Sequence, residues 1–250
     1  MIDDLRYRIE RLEGAVGPPG PRSEDAVVPL GINFVDAALQ GGLRRSGLHE
    51  VTAADESAAA AGFCTVMLAR LAEKRGIVVW CRRGSDLYGP GLAALGLDPA
   101  RLIVVRPRRE ADVLWAMEEG LRSRAPAAVL GEAAGGGPIA LRRLQLAAES
   151  GGVAAVLLRP AQAPFVPGPA LTRWRIGSAG PLPATAGQGA AEGADRFRLR
   201  WQVELQRCRG GTPATWLLEW CDETGGFAVA PDLRHRPARP AASGELRAAL

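Results

Sequence analysis

Lysine is almost missing from this sequence: of its 31 basic residues only Lys74 is a lysine, and the rest are arginines. Chemistry that needs an ammonium, from Schiff-base formation to the grip of a phosphate-binding loop on a triphosphate, therefore has a single residue to draw on. Histidine is nearly as scarce, with only His49 and His235, and the four cysteines, Cys64, Cys81, Cys208 and Cys221, stand far apart without a CxxC pair. Neither a structural zinc site nor a disulfide framework is expected from that spacing. No apolar run approaches the roughly 18 to 20 residues of a membrane span, and MIDDLRYRIERLEG at the start lacks the apolar core of a signal peptide. The chain is expected to be cytoplasmic, with no membrane partner. There is no GxSxG elbow, and Ser46 and His49, three apart on a turn and a strand, are not aimed at each other for nucleophilic catalysis.

What is present suffices for one sizeable core: 250 residues, 47% of them hydrophobic. The net charge of +4 is a mild basic bias, compatible with nucleic-acid or acidic protein partners and demanding neither. Ile2, Leu5, Ile9 and Leu12 recur at helical spacing between charged residues, which predicts an amphipathic helix over 1–14. A helix of about three turns is marginal alone, so this stripe is a candidate docking surface, for the chain's own core or a partner's groove. Residues 15–29, containing GPPGPR, read as an extended linker.

From residue 30 to 160 strands and helices alternate. A short helix over GINFVDAAL leads to a strand at 46–52 and a helix at 58–74 that is apolar nearly all round, hence buried. Unbroken apolar runs at 77–81, 101–105, 127–130 and 153–158 predict strands covered on both faces, with helices between them at 87–95, 111–121 and 139–149. This is an α/β class, a doubly wound, mainly parallel sheet with helices on both faces. Over 161–230 the texture changes: LTRWRI, RFRLRWQVELQRCR and TWLLEW alternate apolar and polar residues and predict a half-exposed antiparallel meander. A flexible loop is expected at 177–195, a hairpin turn at GGTP, and a tail at 231–250 with a short last helix.

The junction from the 46–52 strand to the buried helix is where a phosphate-binding loop would sit. Such a loop needs glycines to expose amides, a lysine for the terminal phosphates and a hydroxyl for magnesium. Here it reads Ala53, Ala54, Asp55, Glu56, Ser57, Ala58, Ala59, Ala60. Two carboxylates lie where a polyphosphate would, the alanine run offers no ammonium or hydroxyl, and Lys74 belongs to the far end of the helix. The loop is read as degenerate. No cofactor and no metal are expected, and the chain is expected not to be an enzyme.

GGLRRSGLHEVT resembles the entry to the core of RecA-type recombinases, and the likeness continues through residues 77–107 and 127–135 and resumes in the later strands. Within that superfamily GLHEV, ALRRLQLAAE and LQRCRGG are most similar to the ImuA family, RecA-like accessory proteins of the bacterial DNA-damage mutasome. The likeness spans residues 28–233, with GLHEV and LQRCRGG its most specific parts. It implies a RecA-like, P-loop NTPase type of fold and an SOS-type DNA damage response role in DNA repair by error-prone translesion synthesis. It also implies protein-protein interaction with an ImuB-like Y-family polymerase homologue and an error-prone replicative-type polymerase subunit, at the nucleoid. RecA as a further partner, self-association and direct DNA binding stay open. Measured against RecA, the loop lysine and threonine fall on the alanines at 58–61, the water-activating glutamate near Arg82 and the magnesium-organising aspartate near Gly131, with Glu132 beside it. Two other readings are a SulA-like cell-division inhibitor, which shares a related nucleotide-free core, and a nucleotide- or ssDNA-binding RecA paralogue.

Arg196, Arg198 and Arg200 share one face of a predicted strand, and Arg173 and Arg175 flank Trp174 on another. These five arginines form either a nucleic-acid or acidic-partner surface or an ordinary solvated sheet face. Arg106, Arg108 and Arg109 begin a helix, where positive charge opposes the dipole. His49 reads as a partly buried strand residue, Glu149 as the close of a surface helix, and Trp201, Trp216 and Trp220 as sheet packing.

Overall fold

The computed structural model describes residues 27–72, 76–180, 199–221, 226–229 and 236–237. The predicted helix over 1–14 with Ile2, Leu5, Ile9 and Leu12, Lys74, Arg196, Arg198 and most of the tail lie outside these residues.

The chain begins with β1 (Val27–Val28), α1 (Asn33–Ala38), β2 (Leu43–Arg44), β3 (Gly47–Ala53) and α2 (Ala59–Ala72). It continues with β4 (Val78–Cys81), α3 (Gly89–Ala94), β5 (Leu102–Val105), α4 (Glu110–Arg122), β6 (Ala128–Glu132), α5 (Pro138–Gly151) and β7 (Ala154–Arg159). Then come β8 (Thr172–Ser178), β9 (Arg200–Cys208), β10 (Ala214–Cys221), β11 (Gly226–Val229) and β12 (Arg236–Pro237). Among the described residues one ten-stranded sheet runs β11-β10-β9-β8-β3-β7-β6-β4-β5, with β12 beside β10. The strands from β8 to β5 in that order are parallel, and β9 to β12 pair antiparallel.

The pleat explains why the central strands read as unbroken apolar runs. In β4, Val78 and Trp80 join the core under α2 while Val79 and Cys81 join the core under α4 and α5, so every position is covered. Helix α2 is apolar around most of its surface because it is wedged between sheet and neighbours; Phe63 packs on Trp174 at 5.2 Å and on Trp201 at 6.5 Å. At the C-terminal end of α5 the chain turns on Gly152, whose φ of +65 lets the backbone reverse without a Cβ penalty. No helix among the described residues is long and apolar enough to cross a membrane.

Three expectations change. LTRWRI is not a half-exposed antiparallel strand: β8 lies parallel to β3 on one side and antiparallel to β9 on the other, and Thr172, Arg173 and Trp174 are all buried. Alternation suggested an open face because Arg173 counts as polar, whereas the structure covers that arginine and pairs it. The 15–29 segment is not linker throughout, since Val27–Val28 pairs with Leu43–Arg44 as a two-residue ribbon. Strand β8 extends through Gly177 and Ser178, so the loop expected from 177 begins later; residues 181–198 lie outside the described residues.

Candidate functional site

In an open parallel sheet, ligands bind where the C-terminal strand ends meet the loops that follow them. Here the ends of β3, β6 and β7 frame a cleft of about 370 Å³ beside the start of α2. Ala53, Asp55, Glu56, Ser57 and Ala60 line it, so most of the predicted degenerate loop is gathered in one place. Ala54 donates its amide to the Ile176 carbonyl at 2.7 Å, Ala58 is exposed and Ala59 is buried in the first turn of α2.

Part of the hydrogen-bonding capacity of this loop is used internally. Asp55 accepts from the Ser57 amide at 2.9 Å and from the amide and hydroxyl of Ser178 at 2.8 and 3.1 Å. Ser57 Oγ accepts from the Ala59 amide at 3.2 Å, and Gln162 donates to Glu56. The Ser57 amide thus faces the chain's own carboxylate, and those of Ala54 and Ala59 are bonded within the chain. Hydrogen bonds from the Ser57 side chain first, then from the Ser178 and Ser57 amides, hold the Asp55 carboxyl down at about 2. It stays ionised over the physiological range.

On the opposite wall Glu132, ending β6, accepts from Trp80 Nε1 at 2.7 Å and lies 3.5 Å from Arg82 Nε. Burial pushes its pKa up, and Arg82 partly offsets that. Arg82 also pairs with Asp86 at 2.7 Å, so the position matched to a water-activating glutamate carries a cation with partners of its own. Gly131 lies against Met117; a Cβ there would come 2.1 Å from the Met117 sulfur, which leaves no room for a carboxylate side chain. Glu110 accepts from the Gly135 amide at 2.5 Å. Cys64 and Cys81 are buried thiols, both pushed up by burial and Cys81 to about 12, so neither supplies a thiolate nucleophile.

Of the five predicted surface arginines, the three described ones have different surroundings. Arg173 is buried against Glu50, with Nε 2.8 Å from Oε2, and sits over the Phe165 ring. Arg175 is exposed, two residues further along β8. Arg200 is half-buried and pairs with Glu219 at 2.7 Å. Arg109 pairs with Asp112 across the start of α4, which relieves the conflict with the helix dipole, while Arg106 and Arg108 are exposed. Trp201, Trp216 and Trp220 are buried on the sheet, as packing residues are.

The segments of strongest family character meet in space for packing reasons. Gln145 of ALRRLQLAAE, 1% exposed, accepts from the Leu48 amide of GLHEV at 2.9 Å and donates to Glu149 at 2.7 Å. Glu149 therefore orients the glutamine that fastens α5 to β3, beyond closing the helix. In LQRCRGG, Arg207 donates to the Gly168 carbonyl at 3.0 Å and the Arg209 amide to that of Leu171 at 2.8 Å, tying the β9 end to the segment before β8.

Fold and site define a layered, mainly parallel α/β protein in which the chain's own side chains occupy the loop at the ligand end of the sheet. No family model matches the chain. It is 41% identical over 217 residues to Protein ImuA of Caulobacter vibrioides strain NA1000 / CB15N, covering 80% of this chain and 86% of that protein. The same figures hold for Protein ImuA of Caulobacter vibrioides strain ATCC 19089 / CIP 103742 / CB 15. The chain belongs to the ImuA family.

Sequence reasoning passed over Glu50, Gln145 and Arg159. Each had a signal: a charged or amide residue placed inside an otherwise apolar strand or helix stripe has to find a partner.

Proposed function

We propose that this chain is a non-catalytic, RecA-like adaptor of the DNA-damage-inducible mutasome that supports error-prone translesion synthesis through protein contacts. Family membership supports the damage-response role. The sheet supports the RecA-like reading, because the parallel strands with helices on both faces and the antiparallel hairpin after them are what that resemblance implies. The observation that carries the adaptor mechanism is Asp55: a carboxylate held in the loop by the Ser57 and Ser178 amides lies where a triphosphate would need positive charge. What then remains useful is surface, and the partners are an ImuB-like Y-family polymerase homologue and an error-prone replicative-type polymerase subunit, met in the cytoplasm at the nucleoid. The stripe of Ile2, Leu5, Ile9 and Leu12 is a docking element for one of them.

The test uses the full chain. Calorimetry with ATP and magnesium is expected to give no binding heat, and pull-down from extracts of DNA-damaged cells is expected to retain both polymerase components. Deleting residues 1–14 should weaken association with the ImuB-like partner by about tenfold, roughly 1.4 kcal/mol, with an unchanged Tm of the remaining core. ATP hydrolysis that survives removal of contaminants, or a pull-down without polymerases, overturns the proposal.

A further inference from the structure

The cleft at the ends of β3, β6 and β7 contains a buried cation without an ion-pair partner among the described residues. Arg159 is 3% exposed, and a cation buried to that degree is ordinarily paired. Among the described residues no carboxylate comes within ion-pairing distance of it. Its hydrogen bonds run from Nη2 to the carbonyls of Ala134 at 2.9 Å and Pro164 at 2.8 Å. Those two acceptors use the hydrogens of Nη2 and fix the guanidinium plane, leaving the donors of Nε and Nη1 without a protein acceptor among the described residues.

The carboxylates of the cleft are engaged elsewhere. Asp55 is held by Ser57 and Ser178, Glu56 by Gln162, Glu110 by Gly135, and Glu132 by Trp80 and Arg82. Arg83, exposed, also lines the cleft and adds a second cation. The unpaired donors of Arg159 receive a single carboxylate locally, whereas a polyphosphate would bring several charges against the four carboxylates of the cleft. A cleft of about 370 Å³ fits such a group with a few attached carbons. We propose that this cleft binds a single carboxylate, received by the free donors of Arg159 in a cleft that Arg83 also lines, from either an acidic side chain of a docking protein or a small organic acid.

The proposal stands apart from the adaptor reading, which the pull-down tests separately. It is tested by thermal denaturation of the full chain at constant ionic strength, with chloride replaced by acetate or by N-acetylglutamate α-amide. A saturable rise in Tm is expected with at least one of them. Arg159→Gln should abolish it. Arg83→Ala should weaken the apparent affinity and Glu110→Gln, which removes a repelling charge but keeps an acceptor for Gly135, should strengthen it, each by roughly three- to tenfold. Should Arg159→Gln fail to fold, the opposite shifts of the other two variants decide. A response to the amide alone assigns the source to a protein side chain, and an equal response to acetate assigns it to a small acid. No saturable rise with either probe, or a rise that none of the folded variants alters, overturns the proposal.

Discussion

Replacing Arg173 with methionine is expected to lower the unfolding free energy by about 3–5 kcal/mol, because it strands a buried carboxylate. Glu50 is 2% exposed and Arg173 8%, and the 2.8 Å contact between Nε and Oε2 is their charge contact in the interior. The guanidinium also donates to the Val166 carbonyl at 3.1 Å and stacks on Phe165 at 4.6 Å from the ring centroid. One arginine thus joins β3, β8 and the proline-rich segment before β8. Glu50 Oε1 has no hydrogen-bond partner even with the pair intact, so the net worth of the pair is small while the cost of breaking it is large. Two urea-denaturation measurements check this. Arg173→Met should shift the midpoint strongly downward, and the double variant Glu50→Met with Arg173→Leu should recover most of the loss. A single variant within about 0.5 kcal/mol of the parent would show that the pair does not hold this corner.

The second large effect is acid sensitivity centred on His49. The ring is fully buried, and desolvation, partly offset by the hydrogen bond to the Arg44 carbonyl, lowers its pKa from 6.5 to about 4. Its neighbours define the tautomer: Trp174 Nε1 donates to Thr172 Oγ1 at 2.7 Å, the Thr172 hydroxyl donates to Nδ1 at 2.8 Å, and Nε2 donates to Arg44 O at 2.9 Å. The folded value lies below the unfolded one, so as pH falls the unfolded chain takes up this proton first. Stability is complete above about pH 6.5 and is lost down to about pH 4. At 1.36 kcal/mol per pH unit of separation the whole loss is about 3 kcal/mol, of which about 2 is gone by pH 5. Asp55, with its carboxyl at about 2, adds a further loss as pH falls below its unfolded value of 3.8. His49→Gln should be less stable at pH 7 yet show a shallower decline between pH 7 and 5 in urea midpoints. His235 is common to both proteins and cancels in the difference. Parallel declines in the two would remove His49 as the cause.

How much of this was legible beforehand depends on whether a feature is local. The runs that became β4, β5, β6 and β7 could be read directly, because burial on both faces demands apolar residues at every position. The loop's lack of a lysine could be read too, since Asp55, Glu56 and the alanines after them supply no ammonium. Pairing was not legible. Arg173 and Arg175 look equivalent along the chain, two residues apart on one strand, yet one is buried against Glu50 and the other faces solvent. Arg200 likewise belongs to Glu219, and Arg159 ended an apolar strand without indicating what surrounded it.

Composition and periodicity therefore established the α/β class, the order of the core elements and the loss of a lysine-based phosphate site, since each follows from residue type or from spacing within one element. Which charges are neutralised, and which buried guanidinium among the described residues is left without a counterion, depend largely on contacts between residues 19 to 123 positions apart. Such contacts exist only once β3, β6, β7 and β8 lie side by side, because burial and dielectric surroundings belong to the packed molecule and not to any stretch of its chain.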